Sequence, residues 1–181
     1  MKDRKLLNIE LGRVSTVEYK SLPDSGLVLV LDNIRSAHNV GSAFRTADSF
    51  KADRVILCGI CACPPSAEIH KSALGAEDSV AWEHVDDTMD AIHSLREQGY
   101  TIISVEQTVN SVKLDEFSVD PGRRYALVFG NEVDGVQQQV VDASDHALEI
   151  PQWGTKHSLN VSVALGVVLW HCRFTMLRAG M

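Results

Sequence analysis

Residues 26–50 read GLVLVLDNIRSAHNVGSAFRTADSF, an apolar run followed by a polar one. The first part, 26–34, has the length and composition of a strand buried on both faces, which is typical of a parallel sheet. The second part, 35–50, is predicted to begin as a loop that carries Asn39 and to become a helix at Gly41. Because α/β proteins bind ligands in loops that follow parallel strands, the stretch predicts a functional site.

Further apolar runs of strand length recur along the chain, at residues 27–31, 54–60, 80–85, 101–105, 125–129 and 147–150. In the segment 87–99, Met89, Ile92 and Leu95 fall on one helical face, and Gly99 is the expected C-cap. This alternation of strands and helices predicts a single α/β domain with helices layered on a mainly parallel sheet.

The N-terminal segment differs in charge from the rest of the chain. The 181 residues carry a formal net charge of −7, whereas residues 1–20 are locally basic. Their basic residues are Lys2, Arg4, Lys5, Arg13 and Lys20. We therefore expect a basic N-terminal arm at 1–26 ahead of a domain at 27–181. The arm either contacts phosphates or stands as a solvated helical tail.

The sequence has no mark of a secreted or membrane protein. Its N-terminus, MKDRKLLNIE, has charges of both signs and lacks the apolar core of a signal peptide. No apolar run approaches the ~20 residues that span a bilayer. We expect a cytoplasmic protein without membrane contact.

The cysteine spacing raises the question of a zinc site. Cys58, Cys61 and Cys63 lie close together, and Cys172 or His70 is an available fourth ligand. However, the chain has no second CxxC pair, and Cys58 falls in an apolar strand-like run. We expect reduced, structural cysteines and no metal.

The segment 158–177, SLNVSVALGVVLWHCRFTML, is apolar on nearly every side of a helix. Such a helix is buried in a core or against a second subunit, and in a chain of this size we expect part of it to form a dimer interface. Ser158 is the expected N-cap, which places Leu159 and Asn160 in the first turn.

Common nucleotide-binding and hydrolase signatures do not occur in this sequence. It contains no GxGxxG after the first strand, no GxxxxGK[ST] and no GxSxG. Instead, polar clusters follow three predicted strands, at 39–45, 130–132 and 158–160. Each alone is compatible with an ordinary turn or helix cap, but their order and spacing together are informative.

Taken together, HNVGSAFRTAD, ALVFGNEVDGV and EIPQWGTKHSLNVSVALGVVLW resemble the motifs of the SpoU/TrmH family of SPOUT RNA 2′-O-ribose methyltransferases. HKSALGAEDSVAW is similar to the family's middle section, and the resemblance runs from about residue 26 to 170. It implies a SPOUT-type layered α/β domain with a C-terminal deep trefoil knot. It also implies an S-adenosylmethionine cofactor, a homodimer, and methyl transfer to a ribose 2′-hydroxyl of tRNA or rRNA.

The resemblance also implies the residues of the site. The cofactor pocket involves, largely through backbone groups, Thr108, Gly130, Ile150 and Leu159. The catalytic and RNA-facing positions are Asn39, Arg45, Glu132, Ser158 and Asn160.

These residue types suit the implied chemistry. A sulfonium already activates the methyl group, so the protein has to align the hydroxyl and ease the loss of its proton. A guanidinium is a poor base because it hardly ever deprotonates. We therefore expect Arg45 to clamp the target phosphate and to stabilise developing alkoxide charge.

Two other functions stay open on the sequence alone. An RNA-binding or assembly module without transfer activity would not need Arg45, Glu132 and Asn160 together, so their presence favours the enzyme. Methylation of a base is also compatible with the same cofactor fold. The HN of the first motif leans toward the tRNA-modifying branch, but only a short stretch precedes the first strand where many relatives carry RNA-binding extensions. Both tRNA and rRNA therefore remain candidate substrates.

Overall fold

The computed structural model describes residues 3–179, which contain a single sheet of parallel strands. The strands are β1 (Leu27–Asp32), β2 (Arg54–Cys58), β3 (Ala81–Val85), β4 (Tyr100–Val105), β5 (Val112–Lys113), β6 (Arg124–Phe129) and β7 (His146–Glu149). Their order is β3-β2-β1-β6-β4-β7-β5, and every pairing is parallel. The predicted α/β fold with a mainly parallel sheet is confirmed, while the trefoil knot stays a prediction.

Helices cover both faces of this sheet. They are α1 (Thr16–Ser21), α2 (Ala37–Phe50), α3 (Ala67–Ala73), α4 (Ala76–Ser79), α5 (Thr88–Glu97), α6 (Gln138–Ala143) and α7 (Val161–Ala179). Every residue of β1 is buried. Leu27, Leu29 and Leu31 belong to a core shared with α2, α3 and α7, whereas Val28 and Val30 belong to a second core with α5 and α6. This two-sided burial explains why the first strand is apolar at each of the positions 27–31, before it ends at Asp32.

Helix α5 was predicted from its local sequence pattern, whereas the short strand β5 was not. The predicted helix at 87–99 is observed as Thr88–Glu97, with the Asp87 carboxylate accepting a hydrogen bond from the Met89 N–H at 2.9 Å. Gly99 follows in the left-handed conformation, with φ of 81°. Strand β5 was not predicted, because its two residues are too short to show a period.

Helix α2 begins earlier than predicted. The Ser36 hydroxyl accepts a hydrogen bond from the Asn39 N–H at 3.3 Å, so Asn39 lies in the first helical turn and the predicted loop position is wrong. Gly41 is inside the helix, where a Cβ would overlap the Ser72 hydroxyl and the Ile69 carbonyl oxygen of α3. The glycine therefore permits close packing of α2 on α3 and does not mark the start of the helix.

The last helix also begins at a different residue from the one predicted. The Asn160 side-chain oxygen accepts a hydrogen bond from the Ser162 N–H at 2.9 Å, and α7 begins at Val161. The expected N-cap at Ser158 is therefore wrong, and Leu159 lies before the helix.

Helix α7 is long and apolar enough to cross a membrane, by length and composition alone. Core helices of soluble proteins share this composition. One side of α7, which includes Leu165, Val168 and Leu169, is fully buried in the core that α2 and β1 also line. Helix α7 is therefore a core helix on this side, and the expected lack of membrane contact stays a prediction.

The N-terminal arm has local structure of its own. A 3-10 turn forms at Asn8–Leu11, and the Arg4 guanidinium donates two hydrogen bonds to the Glu10 carboxylate at 2.9 and 2.7 Å. Tyr19 of α1 is buried, and its hydroxyl reaches the backbone of α2. Lys2 lies outside the described residues, and contact between the arm and phosphates stays a prediction.

The four cysteines are free thiols, and three of them are buried. Cys58, Cys61 and Cys172 are buried, and burial raises the pKa of Cys58 and of Cys172 to about 12. The Cys61 sulfur accepts a hydrogen bond from the Ile34 N–H at 3.1 Å. Between residues 3 and 179, no group of three or more His, Cys, Asp or Glu side chains is placed to hold a metal ion. The expected structural role of the cysteines and the expected absence of a metal stay predictions.

Candidate functional site: a cleft at the carboxyl ends of β6, β4 and β7

A cleft opens where three adjacent strands end, and its volume of about 550 Å³ is typical of small-molecule sites. Apolar side chains of Val105, Phe129, Leu148 and Ala164 line it, together with polar groups from the loops after β4, β6 and β7. This is the edge of a parallel sheet at which ligands bind.

The loop after β6 folds back on itself in a tight turn. Asn131 and Gly135 exchange two backbone hydrogen bonds of 3.0 Å, and the Asn131 amide donates to the Asn33 carbonyl oxygen at 2.8 Å. A Cβ at Gly130 would overlap the backbone of Gly135 and Val136. Gly130 is thus the residue that lets this loop close against the end of the strand.

Two residues at the end of β4 hold the neighbouring loops. The Glu106 carboxylate accepts hydrogen bonds from the Val136 N–H at 3.0 Å and from the Gln107 N–H at 2.8 Å. The Gln107 side chain donates to the His157 carbonyl oxygen at 2.8 Å. The end of β4 therefore fixes the loop after β6 and the loop before α7 relative to each other.

Asp32, the last residue of β1, has a fully buried carboxylate that does not line the cleft. It accepts hydrogen bonds from the Thr88 hydroxyl at 2.7 Å, from the Gln137 N–H at 2.9 Å and from the Gln137 amide at 2.7 Å. A buried charge is tolerated only when it is hydrogen-bonded in this way. Asp32 therefore anchors the end of the loop that begins at Gly130.

Glu132 joins the loop after β6 to the start of α2. Its carboxylate accepts hydrogen bonds from the Arg35 N–H at 3.0 Å, the Ser36 N–H at 3.1 Å and the Asn39 amide at 2.8 Å. A carboxylate is favoured at a helix N-terminus, where backbone N–H groups lack partners within the helix. Desolvation raises the pKa of Glu132, but these hydrogen bonds outweigh it, and the net pKa lies below its ordinary value.

Asn39 links the first polar cluster to the third. Its side chain is only 8% exposed, and its amide nitrogen is already bonded to Glu132. Its oxygen accepts a hydrogen bond from the Asn160 amide at 3.3 Å. A chain of side chains thus runs from Glu132 through Asn39 to Asn160, which brings together three segments far apart in the sequence.

The hydrogen bonds of Glu132 predict a pH-dependent stability difference. Ionised Glu132 stabilises the fold above its ordinary pKa of 4.5, and this contribution is lost as pH falls through its lower pKa in the folded state. Because Glu132 is exposed and solvent screens its charge, Glu132→Gln at pH 7 is expected to lower the thermal unfolding midpoint by roughly 1–2 °C, the shift for about 0.5 kcal/mol in a domain of this size.

The deficit of Glu132→Gln relative to the native chain should shrink as pH drops below 4.5. Thermal unfolding by circular dichroism at a series of pH values measures it. Glu116→Gln, at an exposed position away from the cleft, serves as the matched control and should show no such deficit. A deficit at Glu132 that is constant from pH 7 to pH 3 contradicts the role of its charge.

Most of the predicted site residues lie at the cleft. The predicted residues that line it are Gly130, Glu132, Ile150, Ser158, Leu159 and Asn160. Thr108 does not line it, although its neighbour Gln107 does, and the Thr108 carbonyl oxygen instead accepts hydrogen bonds from Ser111 in a turn. Asn39 does not line the cleft, but its hydrogen bonds link two lining residues, Glu132 and Asn160.

Arg45 lies apart from the other predicted residues. It is exposed on α2, does not line the cleft, and its guanidinium forms no hydrogen bond or ion pair within residues 3–179. Within one chain, Arg45, which the family resemblance placed among the catalytic and RNA-facing positions, is therefore not a lining residue of the cleft.

Asp32, Glu106 and Gln107 were not singled out as site residues from the sequence. Each lies at or directly after the carboxyl end of a parallel strand, a position that is itself a signal for loop-fixing or ligand-binding groups. Their hydrogen-bond partners are distant in sequence, as for Asp32 and Gln137, so local pattern does not identify them.

Comparison with known proteins finds a family model and several relatives that match most of this chain. The SpoU rRNA Methylase family matches residues 26–170. The 23S rRNA (guanosine-2′-O-)-methyltransferase RlmB of Nitrosomonas europaea is 34% identical over 167 residues, which cover 89% of this chain and 62% of that protein. The chain thus spans about three-fifths of the length of the rRNA methyltransferases that it matches.

Two solved structures are similar over most of the chain. The Aquifex aeolicus TrmH/SpoU tRNA modifying enzyme has a TM-score of 0.79 and 27% identity, with 91% of this chain and 84% of that chain covered. The AdoMet-bound rRNA methyltransferase from Sinorhizobium meliloti has a TM-score of 0.77 and 26% identity, with 86% and 59% covered.

Proposed function

The chain belongs to the SpoU rRNA methylase family, and on that premise we propose that it transfers a methyl group from S-adenosylmethionine to a ribose 2′-hydroxyl of tRNA or rRNA. The observation that carries the proposal is the convergence of the three polar clusters, in which Glu132, Asn39 and Asn160 form one hydrogen-bonded chain at the cleft. The two kinds of relative, one acting on rRNA and one on tRNA, support an RNA substrate of either class.

The lining of the cleft fits the cofactor. Phe129 and Leu148 offer an apolar floor for an adenine ring, while Gly130, Ile150 and Leu159 bring backbone groups to the cleft. Because Gly130 has no side chain, a ligand can approach its backbone closely. When bound, S-adenosylmethionine supplies a methyl group on a sulfonium that needs no further activation.

The residues of the chain then have distinct tasks. Glu132 is a weak proton acceptor, because three hydrogen bonds stabilise its ionised form, and we assign it to positioning the start of α2. Asn160 fixes the start of α7 and, through Asn39, its distance from α2. Arg45 supplies the fixed fork of donors that holds a phosphate and stabilises charge developing on the attacking oxygen.

We assign two features of the single chain to a homodimer. They are the lack of bonding partners for the Arg45 guanidinium within residues 3–179 and the exposed apolar side of α7. Large apolar side chains recur along that side at a spacing of three or four residues and are 39–52% exposed. They are Val163, Val167, Trp170, Phe174 and Leu177. A continuous apolar stripe of this kind is typical of a subunit interface, and a two-fold contact through it covers the same stripe on both copies. Because α7 packs on α2, the helix that carries Arg45 lies beside this interface.

A charge placed in the stripe should prevent dimer formation. Val167→Glu puts a carboxylate where two apolar faces would meet, and burying an unpaired charge is costly. Light scattering at micromolar concentration should give twice the mass of one chain for the native protein and the mass of one chain for Val167→Glu. Ile60→Glu, at a position 63% exposed on another surface, is the matched control and should stay dimeric. A native protein that is monomeric under these conditions contradicts the proposal.

The nucleosides of cellular RNA test the proposed activity. Mass spectrometry of tRNA and rRNA from cells with and without the gene should show one 2′-O-methylnucleoside that disappears with the gene. The RNA fraction in which it disappears identifies the substrate class, and we place this activity in the cytoplasm. Loss of a base-methylated nucleoside alone contradicts ribose methylation, and an unchanged nucleoside profile supports a binding module in place of an enzyme.

A further inference from the structure

Trp153 is the most exposed tryptophan of the chain. It is 93% exposed, whereas Trp82 is 37% and Trp170 is 51% exposed. Trp170 also stacks on Phe174, with 5.1 Å between the ring centroids. Tryptophan side chains are on average highly buried, and an indole in water contributes nothing to the packing of its own chain. The exposure of Trp153 therefore indicates a role outside the fold.

Trp153 belongs to a segment that borders the cleft, although Trp153 itself is not a lining residue. It lies in the segment between β7 and α7, and residues on both sides of it, Gln152 and His157, line the cleft. The hydrogen bond from the Gln107 side chain to the His157 carbonyl oxygen, 2.8 Å long, ties this segment to the end of β4. The segment that carries Trp153 is thus held at the cleft by residues on both sides of it in the sequence.

Two further apolar side chains share this edge of the sheet. Val109 follows β4 and is 101% exposed, and Val133 follows β6 and is 71% exposed. Three successive cleft loops thus each present an exposed apolar side chain, in a region where loops usually carry polar ones. A ligand with a flat, uncharged face suits these three apolar side chains.

The charges around the cleft do not favour electrostatic attraction of RNA phosphates. Glu106, Glu132, Asp134 and Glu149 line the cleft, and the whole chain carries −7. Lys156 is a nearby basic side chain in the same segment as Trp153. An RNA that reaches this edge therefore needs a contact that does not depend on its phosphates, and base stacking on an aromatic ring is such a contact.

We propose that Trp153 is a stacking platform for an unpaired nucleobase of the RNA, next to the nucleotide whose ribose is methylated. This rests on the proposed function, since it takes RNA as the substrate. Stacking on one ring tolerates any base, because every base has a π-face. Trp153 therefore favours a single-stranded or loop region over a duplex, and it contributes to choosing where in an RNA the enzyme acts.

Binding of two matched oligonucleotides tests the platform. One is a single-stranded RNA octamer, and the other is an abasic octamer with the same phosphates. Trp153→Ala should weaken binding of the RNA octamer by about 5- to 150-fold, the range for loss of one base–aromatic stack. Trp153→Phe should retain most of the affinity. Binding of the abasic octamer should be equal for all three proteins, and the salt dependence should not change, because no phosphate contact is removed.

Controls distinguish base stacking by Trp153 from a role in the cofactor site or in the dimer. Trp82 lies on β3, at the opposite edge of the sheet from β7, and Trp82→Ala should bind the RNA octamer like the native protein. Cofactor affinity by calorimetry and the dimer by light scattering should be unchanged in Trp153→Ala.

Four outcomes overturn the inference. Unchanged RNA affinity in Trp153→Ala removes the platform and leaves the proposed function intact. A monomeric Trp153→Ala assigns the ring to the subunit contact, and lost cofactor affinity assigns it to the cofactor site. A native protein that neither binds RNA nor transfers methyl overturns the proposed function together with the platform.

Discussion

Arg45→Ala is expected to lower the rate of methyl transfer by about 10²–10³-fold, the usual scale for removing one donor aimed at developing charge. Its stability should not change, because the Arg45 guanidinium is exposed and has no partner within residues 3–179. Cofactor affinity should also be retained, since Arg45 does not line the cleft. Arg45→Lys should restore little activity, because an ammonium does not reproduce a two-pronged contact with phosphate.

Single-turnover transfer to RNA, combined with calorimetric binding of S-adenosylmethionine, measures these effects separately. Arg123→Ala is the matched control, since Arg123 is another exposed arginine and precedes the amino end of β6, away from the cleft. It should transfer methyl at the native rate. Near-native transfer by Arg45→Ala would remove Arg45 from the mechanism, and a loss of cofactor binding would show that its role is structural.

Gly130→Ala is expected to lower the affinity for S-adenosylmethionine by about 10- to 100-fold. The added Cβ overlaps backbone atoms of Gly135 and Val136, which cannot rotate away as a side chain can. The loop must therefore open, and overpacking of this kind costs about 1–3 kcal/mol. If this cost falls on the closed loop that forms the cleft, it corresponds to one to two orders of magnitude in affinity, since about 1.4 kcal/mol is tenfold.

A second glycine of the cleft loops gives the control for this prediction. A Cβ at Gly154 meets nothing within 4 Å, so Gly154→Ala should bind the cofactor like the native protein. Calorimetry measures the affinities, and circular dichroism checks that both variants are folded. Equal affinity of Gly130→Ala and the native chain contradicts the assignment of this loop to the cofactor site.

The sequence predicts the scaffold well because its signal is local. The residues 27–31 are apolar at consecutive positions because β1 is covered on both faces, and α5 shows its period in Met89, Ile92 and Leu95. The cleft residues Gly130 and Leu159 were identified by resemblance, and the sheet brings them together because parallel strands end at a common edge.

Other features of the site depend on contacts that no local pattern contains. Asn39 was predicted to lie in a loop, but Ser36 caps a helix that includes it, and its side chain is bonded to Glu132 and Asn160. The partners of Asp32 include Gln137, 105 positions along the chain. Such bonds follow from the order of the strands, which the sequence does not display.

Transfer of a labelled methyl group tests the central claim most directly. tRNA and rRNA from cells that lack the gene are incubated with the purified protein and S-adenosylmethionine carrying a deuterated methyl group, then digested to nucleosides for mass spectrometry. We expect the label on the ribose of one nucleoside with the native protein, and a greatly reduced amount with Arg45→Ala. Label on a base, or no label in either RNA, would contradict ribose 2′-O-methylation by this chain.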